Sequence, residues 1–256
     1  MWILIDVHNW YAADYYAAGS NAPRVFCNRL RDVIAKIKST SEQPVTRIQL
    51  ATDSKESFRR QLDATYKSHR RQKADDYWTI FERLMSELST GCIEPMERTG
   101  FEADDVIAAL CWDAHHEGEQ AVICSGDRDL HALLVAGEVT QATKWDRIGT
   151  TEVKATWVTA ATVFKRYGVH PYQWIDYRCM VGDKSDGLTG CSGIGEDTAA
   201  TVLQACGSLD GFWADPFKPN IKPGKRTRLI NFRKDYESVR RLVALRADCL
   251  TEGAAA

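Results

Sequence analysis

The chain has 256 residues, 44% hydrophobic and 27% charged, with a formal net charge of −2; this is the composition of a folded globular protein with one large or two closely packed domains. No run of eighteen apolar residues occurs, so no membrane-spanning helix is expected. The apolar stretch Trp2–Ile5 is too short, and too soon followed by Asp6, His8 and Asn9, for a secretory leader. The eight cysteines include no C-x-x-C pair, which argues against zinc ribbons and disulfide frameworks and for buried thiols in a reducing cytoplasm.

In chain order, residues 2–7 read as a buried strand, and Val25, Leu30, Val33, Ile34 and Ile37 place an amphipathic helix near 24–38. Val45–Ala51 reads as a second strand. A basic stretch over 55–73 then carries a local excess of five positive charges, including Lys67, Arg70 and Arg71. A helical pattern runs through Trp78, Phe81, Leu84, Met85 and Leu88. Glu102–His116 predicts a helix whose acidic opening suits the positive end of the helix dipole. Ala121–Cys124 predicts a strand, Asp129–Val135 the start of a helix, and 138–142 another strand.

This alternation predicts an α/β unit over residues 1–150, a parallel sheet covered on both faces. After about residue 150 the strands are expected to stop, and a helical unit over 151–256 follows. It carries a second basic concentration over 222–241, an excess of six positive charges that includes Lys225 and Arg226.

The informative residues are acids at strand ends. Asp6 ends the first strand, Asp53 follows the second, and Asp127 and Asp129 follow Val122-Ile123-Cys124. In an open parallel sheet, ligands bind beyond the carboxyl ends of the strands, so these acids should converge. Glu102, Asp104 and Asp105 add three more at a helix start, and Asp183 and Asp186 another two. One such aspartate alone is ordinarily a helix cap or a turn residue. Nine together raise each other's pKa and call for compensation by cations. Oxygen-only ligands suit Mg²⁺ or Mn²⁺, and two such ions about 3.5–4 Å apart can activate water and stabilise a leaving oxygen in phosphodiester hydrolysis.

The same residues resemble, block by block and in order, the 5′-nuclease family of flap endonucleases and the 5′–3′ exonuclease domains of bacterial DNA polymerases. The blocks are Ile5-Asp6, Ala51-Thr52-Asp53 with Phe58-Arg59, Tyr66-Lys67 with Arg70, Gly100 to Asp105, Ser125 to Leu130, and Gly182-Asp183 with Asp186, leading into Gly193-Ile194-Gly195 and Thr198. The resemblance implies a PIN-like nuclease core and a C-terminal region containing a helix-hairpin-helix. It implies that all nine carboxylates serve two Mg²⁺ ions, directly or through water, with Asp6, Asp53 and Asp127 catalytic. It also implies a helical arch over about 65–90, where Lys67 and Arg70 act on the scissile phosphate and Tyr66 stacks an unpaired base. Arg71, Gly193, Ile194, Gly195, Thr198, Lys225 and Arg226 complete the expected DNA contacts, with a potassium ion at the hairpin.

The expected partner is DNA with 5′ ends, flaps or nicks, cut by a cytoplasmic monomer that stands alone without a polymerase region. Alternatives are a PIN-type ribonuclease and a non-catalytic protein that binds DNA structures. One departure stands out: the family usually places lysine where Asp197 stands beside Glu196, which weakens the hairpin's grip on phosphate unless the 222–241 cluster carries more of it.

Overall fold

The computed structural model describes residues 1–70, 72–91, 93–148 and 152–250. Strand β1 (Trp2–Asp6) is buried along its whole length. It lies between β2 (Arg47–Ala51) and β4 (Ala121–Cys124), so both faces are covered and its sequence is a continuous apolar run rather than an alternation. With β3 (Pro95–Met96), β5 (Val139–Ile148) and β6 (Glu152–Val158), the sheet order is β3-β2-β1-β4-β5-β6. The first five strands are parallel, and β6 is antiparallel to β5.

Successive residues of β1 serve opposite layers, as a pleated strand requires. Ile3 and Ile5 pack with Leu50 and Val122 under α1 (Val7–Ala18), α2 (Ala22–Thr40) and α4 (Tyr77–Ser89). Trp2 and Leu4 face the other layer, which begins with α5 (Ala103–His116). That layer continues through α7 (Trp174–Val181), α8 (Glu196–Cys206) and α10 (Pro223–Val243), which bring Tyr177, Met180, Val202 and Leu229 into the same core. The C-terminal helices therefore share a core with the sheet. Three shorter helices complete the chain: α3 (Phe58–Leu62), α6 (Ala160–Tyr167) and α9 (Leu209–Ala214).

Several expectations need correction. Helix α1 begins directly after β1, capped by Asp6, whose carboxylate accepts from the Asn9 amide at 2.9 Å. The polar residues that mark the strand's end also start a helix. Asp129–Leu133 forms one short 3-10 turn rather than the start of an α-helix. The strands do not stop at residue 150, because β6 adds an antiparallel edge. The alternation Glu152-Val153-Lys154-Ala155-Thr156-Trp157 carries the period-two signal of this strand, with its charges on the polar positions of an edge. Helix α4 packs Ile80, Phe81, Leu84 and Leu88 into the core shared with α2, so this part of the expected arch lies on the body of the protein. Among the described residues, no helix is long and apolar enough to cross a membrane, and the seven described cysteines form no disulfide.

The segment between α7 and α8 is clamped at its neck. The amides of Asp183 and Leu188 each donate to the other's carbonyl at 2.8 Å, and the Cys191 amide donates to the Met180 carbonyl at 2.8 Å. Gly182 sits at φ 78°, where a Cβ would lie 2.4 Å from the Leu188 carbonyl oxygen. No side chain fits there. Gly182→Ala should destabilise the fold by at least about 1–3 kcal/mol, the ordinary cost of one strained backbone position, in urea titration; an unchanged midpoint would show that the neck is not constrained.

Candidate active site

Three acids project from neighbouring parallel strands. β1 pairs with both β2 and β4, with Asp6 opposite Ala51 and Ile5 opposite Cys124. Asp53 and Asp127 follow within three residues of their strands' ends, so all three reach the same edge of the sheet. Their partners fix them without neutralising them. Asp6 accepts from the Asn9 amide and the Ser125 hydroxyl, both at 2.9 Å. Asp53 accepts from the Ala103 amide at 2.7 Å, in the first turn of α5. Asp127 accepts from the Asp129 amide at 2.8 Å. His8 Nδ1 accepts from the Asp53 amide at 3.2 Å and lies 3.7 Å from its carboxylate. Among the described residues, no lysine or arginine is within ion-pair distance of Asp6, Asp53 or Asp127. Burial, followed by the charges of Asp53 and Asp127, pushes the Asp6 pKa up to about 7.

The other six acids are interleaved with cations. At the start of α5, Arg59 forks onto Asp105 at 2.6 and 2.8 Å and also reaches Glu102 at 3.2 Å and Asp104 at 3.7 Å. Asp105 further accepts from the amides of Glu102 and Arg246, so its oxygens are fully committed beneath the site. Lys67, at φ 55°, places its ammonium 3.0 Å from Glu102. On the far side, buried Arg178 bonds Asp129 at 2.7 Å and also Asp183. Arg70 pairs with Asp186, and Arg128 lies 3.7 Å from Asp183.

Charges respond accordingly. Burial raises Asp129 to about 6, with Asp127 adding to the rise and Arg178 opposing it. Burial would also raise Asp183, but bonds from Ser185 and Arg178 outweigh it and hold Asp183 at about 2. Burial, aided by its acidic neighbours, raises Asp104 well above the usual carboxylate range despite Arg59.

Among the described residues, no three acid, histidine or cysteine side chains form a ready-made metal cage. The donor chemistry nevertheless fits hard cations: nine carboxylates face five protein cations, and the three without a cationic partner stand together at the strand ends.

The expected DNA contacts divide. Tyr66 is 4% exposed, with its hydroxyl donating to Glu102 at 3.2 Å, so it does not offer an aromatic face to an unpaired base. Its place in the acid network buries it. Arg226 donates to the carbonyls of Pro216, Pro219 and Ile221 and braces that loop. Ile194 is buried, Gly195 caps α8, and Lys225 donates to Thr198 at 2.5 Å. Gly193 has φ 75°, and a Cβ there would meet the Arg228 guanidinium at 1.7 Å; Arg228 also donates to the Ser192 carbonyl at 3.4 Å. Arg71 lies outside the described residues. Sequence reasoning missed Arg178, Ser125 and Asn9 as members of the site; an arginine inside the apolar helix Trp174–Val181 is the one signal that marks a buried ion pair.

A family model described as the 5′-3′ exonuclease N-terminal resolvase-like domain matches residues 1–168, and the 5′-3′ exonuclease C-terminal SAM fold matches residues 169–255. The chain belongs to the 5′–3′ exonuclease family. It is 33% identical over 168 residues to thermostable DNA polymerase I of Thermus thermophilus, covering 65% of this chain and 19% of that protein. It is 30% identical over 237 residues to the Thermus filiformis enzyme, covering 89% and 26%. The chain thus spans about a fifth to a quarter of these relatives' length. The T5 D15 protein co-crystallised with metal ions shares the fold, with TM-score 0.79 and 17% identity over 98% of this chain and 91% of that one. The catalytic core of Rad2 in complex with DNA substrate superposes with TM-score 0.55 and 14% identity over 94% and 77%.

Arg59 is 1% exposed and holds three acids. Arg59→Ala should cost about 3–5 kcal/mol, the penalty of orphaning buried charge, in chemical denaturation; a loss below about 1 kcal/mol would show that Asp105 is not held by that pair.

Proposed function

We propose that the chain is a structure-specific 5′-nuclease that hydrolyses DNA phosphodiester bonds with the help of two Mg²⁺ ions, leaving 5′-phosphate products. The observation that carries this reading is the trio of buried Asp6 with partly exposed Asp53 and Asp127, grouped at the strand ends without a lysine or arginine partner among the described residues, in a member of the 5′–3′ exonuclease family. Relatives support the ligands: the T5 5′-exonuclease has been seen with zinc bound, and Rad2 with a DNA substrate.

Asp6, Asp53 and Asp127 would hold the ions directly. Glu102, Asp104, Asp129, Asp183 and Asp186 would act directly or through water, while Asp105 fixes Arg59 below them. When bound, the ions supply an activated water and screen the scissile phosphate.

The chain's own residues do the rest. Ser125 and Asn9 fix the two oxygens of Asp6, so the carboxylate enters the site already oriented. Lys67 and Arg70 hold positive charge at Glu102 and Asp186, beside the acids, where charge develops on a phosphate in the transition state. Lys225 and Arg228 bring cations from α10 to the hairpin and offset the Asp197 that stands where a lysine is usual. Arg228 supplies positive charge at the hairpin carbonyls, where the resemblance implies a potassium ion.

A labelled 5′-flapped duplex, a nicked duplex and single-stranded RNA, each with Mg²⁺ or EDTA, test the proposal. Cleavage should require Mg²⁺ and favour the flapped DNA. Asp127→Ala should abolish it with the circular dichroism spectrum unchanged, and Lys67→Ala should lower kcat by about 10²–10³-fold. Preferential RNA cleavage would favour a ribonuclease, and cation-dependent binding without cleavage a structure-binding protein.

A further inference from the structure

The apolar stripe of α4 has one member left half in water. Trp78 is 51% exposed, although its neighbours Tyr77 and Phe81 are buried. Its indole is fixed from behind, edge-on to Tyr77 at 5.0 Å and to Phe81 at 6.0 Å. On the inner side it adjoins His8 at 6.3 Å between ring centroids, and His8 in turn lies 3.7 Å from the Asp53 carboxylate. On the outer side, Tyr77 leads to Tyr16, which is 69% exposed. Lys73 lies over both the Tyr16 ring at 5.3 Å and the Tyr77 ring at 4.7 Å. Asp76, at the edge of the group, is held by the Tyr15 hydroxyl.

These rings form a ledge that starts two side chains from an acid of the active site and ends at a lysine. A half-exposed ring with a fixed back has already lost the rotational freedom that stacking would otherwise cost. Aromatic faces accept any base, and a cation beside them suits the strand's phosphates. Tyr66, the aromatic that sequence reasoning assigned to stacking, is buried and leaves that task open.

We propose that Trp78, with Tyr16 and Lys73 beyond it, is the stacking platform for the unpaired bases of a DNA strand entering the active site. The proposal rests on the nuclease reading for the identity of its ligand. Trp78 is a positioning residue that holds the strand and touches no reacting atom.

The test measures binding by fluorescence anisotropy in the Asp127→Ala background, where the DNA stays intact. The ligands are a duplex with a single-stranded 5′ extension, the same duplex blunt-ended, and the extended duplex with abasic sites in the extension. Trp78→Ala should weaken binding of the extended DNA by at least about fivefold, the low end for one base–aromatic stack, and leave the blunt duplex unchanged. Trp78→Phe should restore most of the loss. Abasic sites should weaken binding to the Trp78 protein by the same factor and add nothing to Trp78→Ala. Equal loss on both duplexes, no loss on either, or indifference to the abasic sites would overturn the platform, the second result leaving the ledge to a protein partner. Cleavage by the wild-type protein is scored separately. Cleavage without any effect at Trp78 sinks the platform alone, and a Trp78 effect without cleavage sinks the nuclease reading alone.

Discussion

Crowded carboxylates at the ends of adjacent parallel strands are the constraint around which this molecule is built. The order β2-β1-β4 makes Asp53, Asp6 and Asp127 neighbours wherever the rest of the chain goes. Like charges at this end of the sheet repel, and the burial of Asp6 removes water that would screen it. The protein answers with cations, but unevenly. Arg59, Lys67, Arg70, Arg128 and Arg178 surround the rim acids, while the central three are left with neutral donors. The unevenness separates rim acids already paired with protein cations from three central acids that are not.

The same cations tie distant segments to the site. Arg59 donates to the carbonyls of Leu242 and Ala244 as well as to Asp105, so the end of α10 is bonded to the acid cluster from below. Arg178 reaches from α7 to Asp129 beyond β4 and to Asp183 in the clamped neck. The strand-end acid cluster and the C-terminal helices are therefore joined by buried ion pairs and hydrogen bonds. Asp6 works against the stability of the fold at neutral pH. With its folded pKa raised to about 7 from an ordinary 3.8, Asp6 favours the folded state most below about pH 4 and loses that contribution as pH rises toward 7. Such strain is a common property of sites shaped to bind something else.

Much of this was legible in the sequence because acids after apolar runs are a local signal. The strand Ala121–Cys124 and the helix beginning beside Glu102 were readable for the same reason: their patterns are short and clean. What failed depended on contacts far apart in sequence. Arg178 lies five residues from Asp183 but 49 from Asp129, and no periodicity announces the second partner. Strand β6 carries a legible polar–apolar alternation over Glu152–Trp157, but its place as an antiparallel edge depends on pairing with β5. Tyr66 and Trp78 exchanged the environments their surroundings suggested: the tyrosine in a basic, polar stretch is buried by its bond to Glu102, and the tryptophan in an apolar stripe is left half in water. Local pattern sets the element, and tertiary packing decides which ring is exposed.

The most direct measurement of the central claim is the thermal midpoint of the wild-type protein and of Asp6→Asn, each in EDTA and in Mg²⁺. Asparagine keeps the cap on α1 and removes the charge. Mg²⁺ should raise the wild-type midpoint, while Asp6→Asn should be the more stable protein in EDTA and gain little from Mg²⁺. If Asp6→Asn were less stable in EDTA and still responded fully to Mg²⁺, the strand-end acids would not be a repelling cluster that waits for a cation.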